Sequence, residues 1–180
     1  MTITTMKKIL LTLLLVSTTA VSAQLAVGKD TMSNASVSLE FDNTTNEKKG
    51  IVLPWVNQAS TLTNVTPGTI IYDTFDKKVK YYKNNAWFDW SVDPTGSVNT
   101  TLQSTIAENT NAKVMIGGNP ITDTTKGILV LGDTNKAMIL PKVENPHLNI
   151  MNPEPGTMVY DPTNKSLAVY NGTVWSFWKD

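Results

Sequence analysis

The chain contains no cysteine, no arginine and only one histidine among its 180 residues. Without cysteine it has no disulfide framework, no cysteine-ligated metal and no acylated N-terminal cysteine. The single histidine, His147, excludes a site built from several histidines, and its place beside Pro146 predicts a surface residue. Stability must therefore come from packing or from the association of chains.

Motifs of catalysis are missing as well. The sequence has no Gly-x-Ser-x-Gly elbow, no P-loop and no dinucleotide fingerprint. A glycosidase needs only two carboxylates, but Asp73 and Asp161 each stand between a strand and turn residues, which favours turn capping. We therefore predict no catalytic residue, no metal site and no cofactor. Because all the basic residues are lysines and the charges nearly cancel, we also predict no nucleic-acid partner.

Residues 1–23 have the pattern of a signal peptide. Lys7 and Lys8 precede an apolar run, and Val21-Ser22-Ala23 forms a small-residue cleavage site. The run is about eight residues long, whereas a membrane-spanning helix needs about 20. We expect export through the inner membrane to the periplasm, the cell surface or the medium, and no transmembrane segment in the mature chain. Translation starts at Met1 or at Met6.

One stretch of the sequence occurs twice. Residues 66–90 and 154–178 share nine of 25 positions at a constant offset of 88, well above chance. A second match, Lys49 to Val56 against Lys136 to Val143, has an offset of 87. We interpret both matches as one internal duplication, since repeats of this length indicate stacked structural units.

Each repeat predicts an antiparallel meander of three strands. In the second copy the strands are predicted at 157–160, 167–170 and 173–178, with a hairpin turn at Asn171-Gly172, because Asn-Gly favours a tight hairpin. The corresponding turn of the first copy is predicted at Lys83-Asn84. Alternation then assigns to the core the strand face that carries Val79 and Phe88 in one copy and Val169 and Trp178 in the other.

The predicted fold is mainly β, with two similar β-meander units joined by a polar linker. We place the signal peptide at 1–23, the first unit at 24–91, the linker at 92–111 and the second unit at 112–180. Further strands are predicted at 37–41, 50–54, 127–131 and 136–141. Since such a meander leaves open edges, we expect a homo-oligomer, either a trimer or a dimer.

The repeated aromatic residues are the one candidate binding feature. Tyr82 with Trp87, and Tyr170 with Trp175, fall on the strand face opposite the predicted core. Such rings stack on sugars, which predicts a carbohydrate-binding surface. Alternatively the same rings pack against the Leu-Pro segments or against another subunit.

The repeats resemble those of secreted β-repeat proteins from Bacteroidota, chiefly flavobacterial ones. The residues that carry this resemblance are 49–56, 124–131, 137–150 and 155–178. The units are also similar to repeats of adhesin-like and tail-fibre-like surface proteins. Neither resemblance implies a reaction. From the signal peptide, the open strand edges and the missing catalytic motifs we predict a secreted or cell-surface structural or adhesive protein without catalytic activity, with a glycan or another surface protein as an expected partner. The alternative is a carbohydrate-binding module.

Overall fold

A computed structural model describes residues 24–42, 48–101, 103–107, 109 and 112–179. The predicted signal peptide lies outside these residues. The described part is mainly β, as predicted, with one short α-helix, α1 (Pro146–Asn149), and 3₁₀ turns at Ala59–Thr61 and Gln103–Thr105. Its strands are β1 (Leu25–Val27), β2 (Val37–Phe41), β3 (Ile51–Val52), β4 (Trp55–Val56), β5 (Ile70–Asp73), β6 (Lys78–Lys83), β7 (Ala86–Asp89), β8 (Val114–Ile116), β9 (Leu129–Leu131), β10 (Ala137–Ile139), β11 (Thr157–Asp161), β12 (Ser166–Tyr170) and β13 (Trp175–Trp178).

Both predicted meanders are present. Strands β5, β6 and β7 form one and β11, β12 and β13 form the other, and in each the neighbouring strands are antiparallel. We call the first meander with β4 sheet 1, and the second meander with β3 sheet 2. Two smaller sheets have the orders β1-β2-β10 and β8-β9, and all of their pairs are parallel.

The two meanders have the same register at the offset of the sequence repeat. Tyr72 pairs with Val79 and Tyr160 pairs with Leu167. Before each first strand a glycine at positive φ donates its N–H across the sheet: Gly68 to the carbonyl of Tyr82 and Gly156 to that of Tyr170. The halves thus repeat one arrangement, while their origin by duplication stays a prediction.

The hairpin turns lie one residue beyond their predicted positions. In sheet 1 the centre is Asn84-Asn85, and both residues have positive φ, as a type I′ turn requires. In sheet 2 the centre is Gly172-Thr173, because the main-chain N–H of Asn171 donates to the carbonyl of Val174, and the Asn171 side chain accepts the N–H groups of Thr173 and Val174. In the Asn-Gly pair Asn171 therefore caps the turn with its side chain, and Gly172 is the first of the two central turn residues. The dipeptide alone does not distinguish this arrangement from a turn with Asn-Gly at its centre.

A short extended segment joins the two sheets. We call residues 51–56 the first strap. Its beginning, β3, pairs antiparallel with β11, whereas its end, β4, pairs parallel with β5. Trp55 fixes this crossing by donating its indole N–H to the carbonyl of Pro155 at 2.7 Å. Strand β4 lies outside the predicted strands, since a two-residue strand after Pro54 shows no periodicity.

The main core is shared by both halves. Leu53, Tyr72 and Val79 pack against Met158 and Val169, so residues of sheet 1 and sheet 2 bury one another. The assignment of the core to one strand face is wrong in two respects. Ala168, on the opposite face of β12, is also fully buried. On the predicted core face, Phe88 is 38% and Trp178 55% exposed.

These two departures have a physical cause. Sheet 2 is covered on both sides, because Val143 packs on Val159 and Ala168 while Met158 and Val169 face the main core. Strands β7 and β13 lie at sheet edges, beyond the reach of that packing.

The first part of the predicted linker is packed. Asp93 accepts hydrogen bonds from the Asn171 side-chain amide at 2.8 and 3.1 Å, and Thr95 accepts one from the Thr173 hydroxyl. Gly96 lies so close to this hairpin that an added Cβ would be 2.0 Å from the Asn171 carbonyl oxygen. Residues 92–97 therefore belong to the folded body. Among the described residues, no helix has the length and apolar character needed to cross a membrane.

Candidate functional site

The two rings of each aromatic pair lie on one strand face, as the sequence predicts, and the observed turns place them directly opposite each other. Tyr82 on β6 faces Trp87 on β7, with ring centroids 5.1 Å apart and an edge-to-face angle of 62°. Tyr170 and Trp175 are the corresponding pair on β12 and β13, with ring centroids 5.3 Å apart and a tilted interplanar angle of 42°. Cross-strand aromatic pairs of this kind stabilise a hairpin by about 0.5–1.5 kcal/mol beyond the area they bury.

The surroundings of the two pairs differ. Beside Tyr82 and Trp87 the same strand face carries Lys80 and Asp89, which form an ion pair at 2.7 Å. The corresponding positions beside Tyr170 and Trp175 are Ala168 and Phe177. One pair thus has a charged border and the other an apolar one, so that the two pairs are not two copies of a single ligand site.

Lys80 is the centre of the charged border. Its ammonium contacts Asp76 at 2.6 Å as well as Asp89, which also pairs with Lys78. Burial lowers the pKa of Lys80, but the hydrogen bonds to the two carboxylates outweigh it and raise that pKa above its usual value. The charge is therefore held in place on the strand face that carries Tyr82 and Trp87.

Trp175 has a packing role that Trp87 lacks. Its ring lies against the small cluster of Val143, Val159 and Ala168. All four aromatic residues are half-buried, so each pair presents part of its rings to solvent. The described residues show no ring contact between one pair and the other. Of the two, Tyr82 with Trp87 is the better candidate for a ligand.

The carboxylates at the strand ends are turn caps, as predicted. Asp73 accepts the N–H groups of Phe75 and Asp76 through one oxygen and that of Ala59 through the other. Asp161 accepts the N–H of Thr163 at 2.9 Å and the Asn164 amide at 2.7 Å. Both carboxylates are buried. For Asp161, burial raises the pKa but these hydrogen bonds outweigh it and lower the pKa below its usual value.

Sequence reasoning missed one buried charge, Glu40 on β2. It is 2% exposed, and its carboxylate accepts hydrogen bonds from Lys29 at 2.8 Å and from both the N–H and the hydroxyl of Ser33. These hydrogen bonds lower the pKa of Glu40 to about 2. Alternation with Leu39 and Phe41 places Glu40 on the polar face of the strand, so nothing in the sequence signals its burial. Its contacts are those of a structural ion pair.

The described residues offer few other groups that could bind a ligand or a metal ion. They contain no group of three or more His, Asp or Glu side chains that is placed to hold a metal ion. His147 is exposed on α1, as predicted, and its ring meets that of Phe177 edge-to-face at 5.7 Å. An open hollow of about 600 Å³ is lined by Val52, Leu53, Trp55, Asn99, Gln103 and Glu154.

The second half of the chain is similar to a known family. Residues 115–179 match the family model of the phage tail like trimerisation region. The matched range runs from β8 to β13 and includes α1. No curated protein and no solved structure matches the chain. The match supports a structural homotrimer and the tail-fibre-like part of the resemblance, whereas the resemblance to Bacteroidota proteins stays a prediction.

Proposed function

We propose that this chain is a trimeric structural or adhesive protein that acts at the cell surface or outside the cell, without catalysis. The observation that carries the proposal is the trimerisation-region match over residues 115–179. Its location outside the cytoplasm rests on the signal-peptide pattern of residues 1–23.

The exposed apolar surface of the second half agrees with an oligomer. Val114 is 59%, Ile128 64% and Leu129 45% exposed, and these residues lie in or next to the two-stranded sheet of β8 and β9. A two-stranded sheet is marginal on its own in water. Association would bury these side chains and supply the neighbours that a small sheet needs.

The mass of the purified chain from Gln24 to Asp180 tests the oligomer. We expect size exclusion with light scattering to give three chain masses over a wide range of concentrations. A single chain mass at every concentration would overturn the trimer. For export, expression of the full sequence in a Gram-negative host should yield a periplasmic or external product whose N-terminus is Gln24; an intact N-terminus in the cytoplasm would contradict it.

A second candidate function is carbohydrate binding at Tyr82 and Trp87, favoured by the half-exposed rings beside a fixed charge pair. A glycan array with the wild-type chain and Trp87→Ala is the test, and binding should be lost in the variant. Phe88→Ala is the matched control, because Phe88 lies on the opposite face of the same strand and is 38% exposed. No binding by the wild type, or equal binding by both variants, would end this proposal.

A further inference from the structure

Within one chain, the first strap completes the edge of sheet 2. Val52 lies opposite Thr157 and Ile51 opposite Met158, in antiparallel register. The N–H of Leu53 extends this ladder to the carbonyl of Gly156 at 3.0 Å. An element of the first half therefore closes a sheet of the second half.

The corresponding edge of sheet 1 is open. The residues that correspond to Thr157 and Met158 are Thr69, just before β5, and Ile70, the first residue of β5, 88 positions earlier. Strand β4 covers only Tyr72 and Asp73, and no other described strand lies along the outer edge at Ile70.

The glycine before each of these edges shows the same difference. A Cβ on Gly156 would be 3.0 Å from the Tyr72 side chain, whereas one on Gly68 would have nothing within 4 Å. The covered surface of sheet 2 thus has an uncovered counterpart on sheet 1.

The strand that fits this edge exists in the second half. Residues 138–143, the second strap, correspond to the first strap at an offset of 87. The ends of both straps pair parallel with their own sheet: Trp55 with Tyr72, and Lys142 with Tyr160. The beginning of the second strap, in β10, has β2 on one side and no described strand on the other.

A second pair of edges has the same relationship. Strand β2 lies between β1 and β10, and its Leu39 is 3% exposed. Its counterpart β9 pairs only with β8 among the described residues, and Leu129, which occupies the position of Leu39, is 45% exposed. In the first half, β10 is the second neighbour of β2, and the strand equivalent to β10 is β3. No described strand pairs with the outer edge of β3, and its Val52 is 47% exposed.

From these matched edges we infer that the second half of one subunit pairs with the first half of the next. Strand β10 adds antiparallel to β5 of the neighbour, with Met138 opposite Ile70 and Ile139 opposite Thr69. Strand β9 lies parallel to β3 of the same neighbour, with Leu129 opposite Ile51. Both contacts repeat pairings that the single chain already makes between its own halves.

This arrangement is head-to-tail, because the two surfaces in contact differ. Such contacts form a closed ring if the rotation between subunits closes, and an open filament if it does not. The pairing of the edges is inferred from the single chain, and only the number of subunits, three, rests on the proposed function. The residues just before the two straps differ, and this limits the length of the ladder. The first strap follows Gly50, where an added Cβ would be 2.5 Å from Thr157, whereas the second strap follows Ala137. We therefore expect the intersubunit ladder to begin at Met138.

Cysteine cross-linking tests the register in a chain that has no cysteine. Thr69 and Ile139 would form a pair without mutual hydrogen bonds, with Cα atoms about 4.5 Å apart, a spacing that permits a disulfide. We expect Thr69→Cys/Ile139→Cys to give covalent dimers and trimers on a non-reducing denaturing gel, and single chains after reduction. Thr157→Cys/Val52→Cys is the matched control, because its disulfide closes within one chain and leaves the gel mass unchanged.

The outcomes separate the pairing from the trimer. Cross-linking that stops at three chains supports both, and a ladder beyond three supports the pairing but contradicts the trimer. No cross-link in a protein that light scattering shows to be trimeric overturns the pairing alone. A monomer that forms no cross-link overturns both.

A surface substitution gives an independent test that does not depend on disulfide formation. Leu129→Lys changes a residue that is already 45% exposed in the single chain, so the subunit should fold while its mass falls from three chains to one. Ile121→Lys, at a residue 92% exposed and outside the proposed contact, should keep the wild-type mass. Equal masses for the two variants would refute the contact at β9.

Discussion

The hydroxyl of Tyr72 connects the two halves of the core, and its removal should destabilise the protein. The residue is fully buried, and its hydroxyl donates to the main-chain carbonyl of Asn171 at 2.6 Å. Asn171 is itself fully buried. Tyr72→Phe keeps the ring and deletes only the hydroxyl, which leaves that carbonyl without its donor.

The cost follows from the buried carbonyl. An intramolecular hydrogen bond contributes about 1 kcal/mol, and a buried polar group left without a partner costs about 1–3 kcal/mol. We expect Tyr72→Phe to lower the free energy of unfolding by about 1–3 kcal/mol, measured by urea denaturation at one fixed protein concentration. Tyr82→Phe is the control, because Tyr82 is half-buried and its hydroxyl has no hydrogen bond in the described structure. Its change should stay within about 0.5 kcal/mol.

The same variant should change the response to alkali. Burial, together with the nearby charge of Asp73, raises the pKa of Tyr72 from 10.0 to about 12. The folded state therefore holds the phenol proton more tightly than the unfolded state. This stabilisation is complete below pH 10 and is lost as the pH rises towards 12. Relative to Tyr72→Phe, the wild type should lose stability over that window. Equal urea midpoints for the two proteins at neutral pH, with parallel alkaline profiles, would refute the reasoning.

Two further predictions concern the packed linker and the buried carboxylate. Gly96→Ala should destabilise the fold by about 1–3 kcal/mol in thermal unfolding through its clash with the Asn171 carbonyl; an unchanged midpoint would mean that residues 92–97 do not pack there. Glu40, whose pKa is lowered to about 2, should stabilise the fold above about pH 4.5 and lose this contribution as the pH falls towards 2. An acid-unfolding curve unchanged in Glu40→Gln would contradict this.

The local pattern was sufficient to predict the meanders. Alternation placed β2 at Val37–Phe41, and the repeated Tyr-Asp and Trp positions placed β5 to β7 and β11 to β13. These elements depend on neighbours within about ten residues, so a single sequence contains the information. The crossing of the first strap from sheet 2 to sheet 1 was not predictable. The pairing of Val52 with Thr157 joins residues far apart in the sequence through main-chain hydrogen bonds, which leave no pattern in the side chains.

In the candidate site, too, local features were predictable from the sequence and contacts between distant elements were not. Alternation places Tyr82 and Trp87 on one strand face, so the sequence predicted their proximity, but their direct pairing depends on a turn one residue beyond the predicted one. The salt bridges of Lys80 and the packing of Trp175 on Val143 depend on which elements meet in space. The buried state of Glu40 was equally hidden, since its partners lie on a preceding loop that has no periodic pattern.

The crossing of the first strap constrains the order in which the protein can fold during synthesis. Trp55 and Pro155 are 100 residues apart, so β3 emerges from the ribosome long before the strand that it borders. Until β11 has been made, the strap has apolar side chains and an open edge, the conditions under which incomplete chains aggregate. Chains that end before residue 155 therefore lack the partner of their own first half, and the N-terminal half is not expected to be stable as a separate fragment.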